Sequence, residues 1–130
     1  SNTLRISTPD GETYKIYGEH NAKPTAIDLP LANGIANEGA FVSNCAEKLI
    51  NERMVTFAIT KASGSGVVTI ATLPLSNRPK KQVIAPCIVK TSSGTYEPAI
   101  CEIATTGVIT VTAGSSVWTN AYAQVAFLTT

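Results

Sequence analysis

The chain has 130 residues, of which 44% are hydrophobic and 15% charged, with ten basic and nine acidic side chains for a net charge of +1. That is enough apolar material for one real core, and Thr, Val, Ile and Ala are abundant, which favours strands over helices. The near-zero charge lacks the basic stripe that nucleic-acid binding demands, its only basic cluster being Arg78, Lys80 and Lys81. No apolar run reaches membrane-spanning length.

In chain order, the Ser1-Asn2 start reads as the scar of a removed tag, so the chain is expected to be a piece of something longer, attached to its parent through a missing N-terminal part. Thr3 to Ser7 and Glu12 to Tyr17, divided by Pro9-Asp10-Gly11, predict a β-hairpin. Such a hairpin is not stable alone and must pack on the rest, pair with another chain, or both. Residues 19 to 40 carry Gly, Pro and Asn without periodicity and read as a linker, with one short helical turn around Ala26 to Leu29. These features divide the chain into a hairpin and linker over 1–40 and a head domain over 41–130.

From Phe41 the pattern is regular. Cys45 to Ile50 and Met54 to Lys61 flank an Asn51-Glu52-Arg53 turn, and strands follow at Val67 to Leu73, Val83 to Lys90, Tyr96 to Ala104, Val108 to Thr112 and Ala121 to Leu128. About seven short strands at this spacing predict an all-β, Greek-key or jelly-roll-like β-sandwich, with a closed barrel as the alternative. Leu73-Pro74 and Arg78-Pro79 interrupt the ladder between two strands, because proline cannot donate and holds its predecessor extended. That stretch reads as a crossover between sheets, or more plainly as a proline-rich loop.

Two strands are apolar on both faces. Val83, Ala85, Cys87 and Val89 oppose Ile84, Pro86 and Ile88, and Ala123, Val125 and Phe127 oppose Tyr122, Ala126 and Leu128. A second burial partner is expected for such strands, either another subunit or covering loops and the N-terminal hairpin. Val83, Ala85, Ala123, Val125 and Phe127 are the subunit-interface candidates.

The inventory for catalysis is thin. His20, the only histidine, sits in a polar stretch with no nucleophile elbow, and Glu97 and Glu102 fall on opposite faces of a regular strand. No phosphate loop, calcium loop or metal-ligand spacing is present, so no catalytic residue, metal or cofactor is assigned. Cys45, Cys87 and Cys101 are odd in number; buried free thiols are expected, with a Cys87–Cys101 bridge as the alternative. Recognition is better supplied. Trp118, in the Ser/Thr/Asn-rich run from Gly114 to Asn120, is the candidate stacking plate for a sugar, with Asn120 as hydrogen-bond partner and Tyr122 and Tyr96 flanking it. The competing reading makes Trp118 a core plug or an intersubunit contact.

Ala71-Thr-Leu-Pro74, the turn Leu75-Ser-Asn77 and Arg78-Pro79, with Gly107-Val-Ile-Thr-Val111 and the tract from Tyr14 to Pro24, together resemble the C-terminal head domains of bacteriophage tail fibres and receptor-binding proteins. The resemblance implies a homotrimeric head in the virion tail, assembled in the bacterial cytoplasm, joined to other tail proteins through a neck- or shoulder-like N-terminal part. It implies attachment to a cell-surface receptor, a saccharide, by avidity rather than by any single strong site. The alternatives are a trimerising or capping module that binds nothing and, less favoured by the residues, a fragment of a saccharide-cleaving enzyme.

Overall fold

A computed structural model describes residues 5–7, 13–15, 26–114 and 116–129. Its elements are β1 (Arg5–Ser7), β2 (Thr13–Lys15), β3 (Ala26–Asp28), β4 (Ala36–Asn37), β5 (Asn44–Leu49), β6 (Glu52–Gly64), β7 (Val67–Thr72), β8 (Val83–Thr91), β9 (Tyr96–Ile103), β10 (Val108–Thr112) and β11 (Trp118–Leu128). A single turn of 3₁₀ helix spans Leu75–Asn77. β1 pairs with β2 antiparallel, as the hairpin pattern predicts; its Pro9-Asp10-Gly11 turn, and His20, lie outside the described residues.

The remaining strands form one curled antiparallel sheet in the order β3-β5-β6-β11-β8-β9-β10-β7, with β4 added beside β6. β8, β9 and β10 follow one another by short turns, and β7 returns to lie beside β10, which is the Greek-key arrangement. The curl closes on itself: Leu31, just after β3 at one end of the order, bridges to Ala71 of β7 at the other, and the Ala32 N–H donates to the Ile70 carbonyl at 2.8 Å. Inside lies a single core that includes Val55, Phe57, Ile59, Ile70, Leu73, Val89, Ile103, Ile109, Val111 and Trp118.

Residues 26 to 40 depart from the sequence reading. Ala26–Asp28 is a strand paired with Asn44–Ala46, not a helical turn, and Leu29 is buried in the core. A three-residue run carries no periodicity to read; it becomes a strand because the edge of β5 offers it a ladder. With β3 and β4 in the main sheet, that sheet extends back across residue 40 to Ala26.

The crossover after β7 is a lock. The Leu73 N–H donates to the Gly107 carbonyl at 2.9 Å, and Arg78 Nε donates to the Leu73 carbonyl at 3.0 Å. Gly107 has φ +90°, and a Cβ there would stand 2.6 Å from the Leu73 carbonyl oxygen and 2.9 Å from Arg78 Nε. Only glycine fits. The 3₁₀ turn between is tied to the β5–β6 end of the sheet by Arg53 Nε, which donates to Asn77 Oδ1 at 2.8 Å.

The two-faced strands are resolved by this fold in the opposite sense to the interface expectation. Val125 and Phe127 are buried, and Val83, Ala85 and Ala123 pack against the core, so all five candidates face inward. The apolar residues of opposite parity are the ones left outside: Ile84 is 65% exposed, Ile88 and Ile100 47% each, and Leu128 62%. Pro86 stands opposite Ile100 and Ile88 opposite Pro98, so these side chains form a continuous outer strip across β8 and β9.

Candidate functional site

The outer face of the β6-β11-β8 ladder carries a cleft of about 740 Å³. Its floor follows from register. Ala58 pairs with Tyr122, Thr56 with Gln124, and Tyr122 with Ile88, while Lys90 pairs with Tyr96 at the start of β9. Alternation then puts Thr56, Ala58, Tyr122, Gln124 and Ile88 on the solvent side, where they border the cleft together with Tyr96. The Tyr96 and Tyr122 rings meet at 6.1 Å between centroids, tilted by 52°.

The wall comes from the segment after β4. Ala36 and Asn37 pair with Thr60 and Ile59 of β6, and the Glu38 N–H continues that edge by donating to the Ala58 carbonyl at 2.9 Å. A tight turn follows, with the Phe41 N–H donating to the Glu38 carbonyl at 3.0 Å and Gly39 at φ +54°. The turn sets Glu38 and Phe41 against the cleft. Asn37 Oδ1 accepts from the Ser43 N–H at 2.9 Å and fixes the return of the chain into β5.

Glu38 is the centre of the polar network. Its Oε2 accepts from Asn120 Nδ2 at 2.9 Å, across 82 residues of sequence, and Thr119 Oγ1 donates to Asn120 Oδ1 at 2.7 Å. The Tyr122 hydroxyl also bonds to Glu38; the Tyr122 and Asn120 hydrogen bonds together hold the Glu38 carboxyl below its ordinary pKa. Burial first, and this bond to a carboxylate second, push the Tyr122 phenol up to about 12. Tyr122 is therefore a donor at any physiological pH.

Of the four ligand candidates, Tyr96, Tyr122 and Asn120 are brought together here and Trp118 is not. Trp118 is 0% exposed and belongs to the core, so it offers no ring face to a ligand. Register is the physical reason. A bulge between Trp118 and Asn120 in both the β6 and β8 pairings inserts one residue, so Trp118 turns inward with Ala121 and Val125 although it shares even parity with Tyr122. Lys61 caps it from outside, with Nζ 4.1 Å from the ring centroid.

Glu38 and Phe41 escaped the sequence reading because both lie at the edge of a stretch without strand periodicity. Asn37-Glu38-Gly39 signals a turn, but no local signal tells what a turn faces. Elsewhere, Cys45, Cys87 and Cys101 are buried free thiols, with burial pushing Cys87 up to about 11 and Cys101 up to about 12. Such thiols are poor nucleophiles at neutral pH. Among the described residues no three of His, Cys, Asp and Glu gather in a way that could hold a metal ion.

No protein-family model and no curated protein sequence matches the chain. Solved structures do. The fold is similar to the head domain of lactococcal phage bIL170, a receptor-binding domain, with a TM-score of 0.66 at 15% identity over 83% of this chain and all of that one. It is similar also to the receptor-binding protein gp15 of Listeria phage PSA, with a TM-score of 0.65 at 17% identity over 86% of this chain and 68% of that one. The chain has the all-β fold of phage receptor-binding head domains.

Proposed function

We propose that the chain is the receptor-binding head of a phage or prophage tail, that it recognises a bacterial cell-surface saccharide in the cleft bordered by Glu38, Phe41, Tyr96 and Tyr122, and that it works as a homotrimer. The observation that carries this reading is the cleft itself. Two tilted tyrosine rings supply apolar faces of sugar size, and Glu38 and Gln124 supply polar groups at its edge. An open groove of this kind binds a monosaccharide weakly. Attachment then comes from repetition of the site, which is the physical case for a multimer.

The outer strip of Ile84, Pro86 and Ile100, beside the cleft, supports the trimer, since a cyclic assembly buries such a surface without leaving a sticky edge.

Replacing Tyr96, which is 63% exposed, by alanine separates recognition from folding. Tyr96→Ala is expected to keep the wild-type melting temperature within the range of a neutral surface change, about 0.5 kcal/mol, and to lose binding to cell-wall polysaccharide from a panel of candidate hosts. Wild-type binding by the variant would remove the cleft from the reading. Light scattering on the same preparation, with a monomer mass at micromolar concentration, would remove the trimer.

A further inference from the structure

Of the ten described residues that border the cleft, Glu38 alone carries a formal charge. It is not free to turn away. Asn120 Nδ2 and the Tyr122 hydroxyl both donate to it, and Asn120 is itself oriented by Thr119. A carboxylate offers roughly four acceptor positions and no donor, so after two internal bonds it still has acceptor capacity for a ligand. A ligand that meets it must bring hydrogen-bond donors.

The aromatic surround has the same preference. Tyr96, Tyr122 and Phe41 border the cleft with Glu38, and the faces of such rings attract cations through their quadrupoles. The protein already illustrates this, because Lys90 Nζ lies 5.8 Å from the Tyr96 ring centroid. Lys90 is not among the described residues bordering the cleft. Ring faces, a pinned anion and no cation among the described residues of the lining together disfavour a phosphorylated or acidic ligand, which would lose its hydration against a negative wall.

We propose that the cleft is selective for a sugar bearing a free, positively charged amino group, with Glu38 as the residue that reads the charge. This rests on the saccharide reading of the cleft and narrows it. The amine pairs with Glu38 in a charge-assisted hydrogen bond while the apolar face of the ring lies on Tyr96 or Tyr122. N-acetylation removes the charge and keeps the ring, so the pair of sugars isolates the effect.

The test is a titration of the intact chain, followed by the backbone amide NMR signals of Tyr96 and Tyr122, with glucosamine, N-acetylglucosamine, glucose and glucose 6-phosphate as probes. Glucosamine is expected to bind about tenfold more tightly than the two neutral sugars, glucose 6-phosphate weakest, and 0.5 M salt should shrink the glucosamine advantage. Glu38→Gln, which keeps the shape and one acceptor oxygen but removes the charge, should bring the glucosamine-to-glucose ratio close to one, whatever the absolute affinities become. Equal binding of glucosamine and glucose by the wild type overturns the selectivity, and so does a tenfold ratio that survives in Glu38→Gln. If the neutral sugars bind as well as the amine, the cleft remains a saccharide site and only the charge preference falls. If no sugar shifts the Tyr96 and Tyr122 signals while the protein still binds cell walls, the cleft reading falls with it.

Discussion

Two lysines lie over two aromatic rings in this fold, and the pairs are put to opposite uses. Lys61 stands 4.1 Å from the centroid of Trp118, and its Nζ donates to the carbonyls of Ala62, Gly64 and Trp118 at 3.0, 3.1 and 2.9 Å. Cation and ring are both consumed, and the buried Trp118 Nε1 finds no partner among the described residues. Lys90 stands 5.8 Å from Tyr96, a ring that keeps most of its surface in solvent and borders a cleft. The first pair is a plug that closes the top of the core, and the second leaves a ring face available for recognition. The single-residue bulge in β11 turns Trp118 into the core, whereas Tyr96 opens β9 in regular register with β8.

The largest effect is expected where the plug is pulled. Trp118→Ala removes the largest fully buried side chain and should cost about 3–5 kcal/mol, lowering the melting temperature by more than about 10 °C or preventing folding. A loss of cell-wall binding with an unchanged melt would reverse the comparison and make Trp118 the ligand residue.

The two lysines test the contrast more finely. Lys61→Met leaves three carbonyls without their shared donor and should cost about 1–2 kcal/mol, whereas Lys90→Met should fall within about 0.5 kcal/mol. Thermal melts of the two variants side by side decide it; equal costs would mean that both corners are structural.

The smallest effect concerns pH. The folded Glu38 carboxyl titrates below its ordinary value of 4.5 because Tyr122 and Asn120 donate to it, so its stabilising contribution is present above pH 4.5 and lost as pH falls through the folded value. The melting-temperature difference between wild type and Glu38→Gln should therefore shrink as the pH is lowered below 4.5. A constant difference from pH 7 to pH 3 would show that the carboxylate is not pinned.

Much of the sheet was legible because its strands alternate. The runs at Met54 to Lys61 and Tyr96 to Ala104 keep their period of two, and β7 to β10 match the reading closely, while β6 takes in Glu52 and Arg53 of the expected turn and β11 starts three residues early, at Trp118. What alternation cannot give is which face is inside when both are apolar. Val83, Ala85, Ala123, Val125 and Phe127 are interface candidates on that ground, and in the fold neighbouring strands draw all five onto the core. The site was half legible for the same reason. Tyr96, Tyr122 and Asn120 lie in regular strands, while Trp118 sits beyond a bulge and Glu38 sits in a turn, and neither position obeys a period.

The lock at Gly107 gives the three short motifs a shared grammar. Leu73, Arg78 and Gly107 are dispersed over 35 positions, yet one carbonyl, one guanidinium and one absent side chain must agree at a single point. A side chain at Gly107 or loss of the Arg78 guanidinium breaks the same contact to the Leu73 backbone, so the three positions form one discontinuous word. In proteins too diverged for ordinary sequence matching, that word, Leu-Pro followed by Arg-Pro and then a strand-opening glycine, is what a search for this fold should spell.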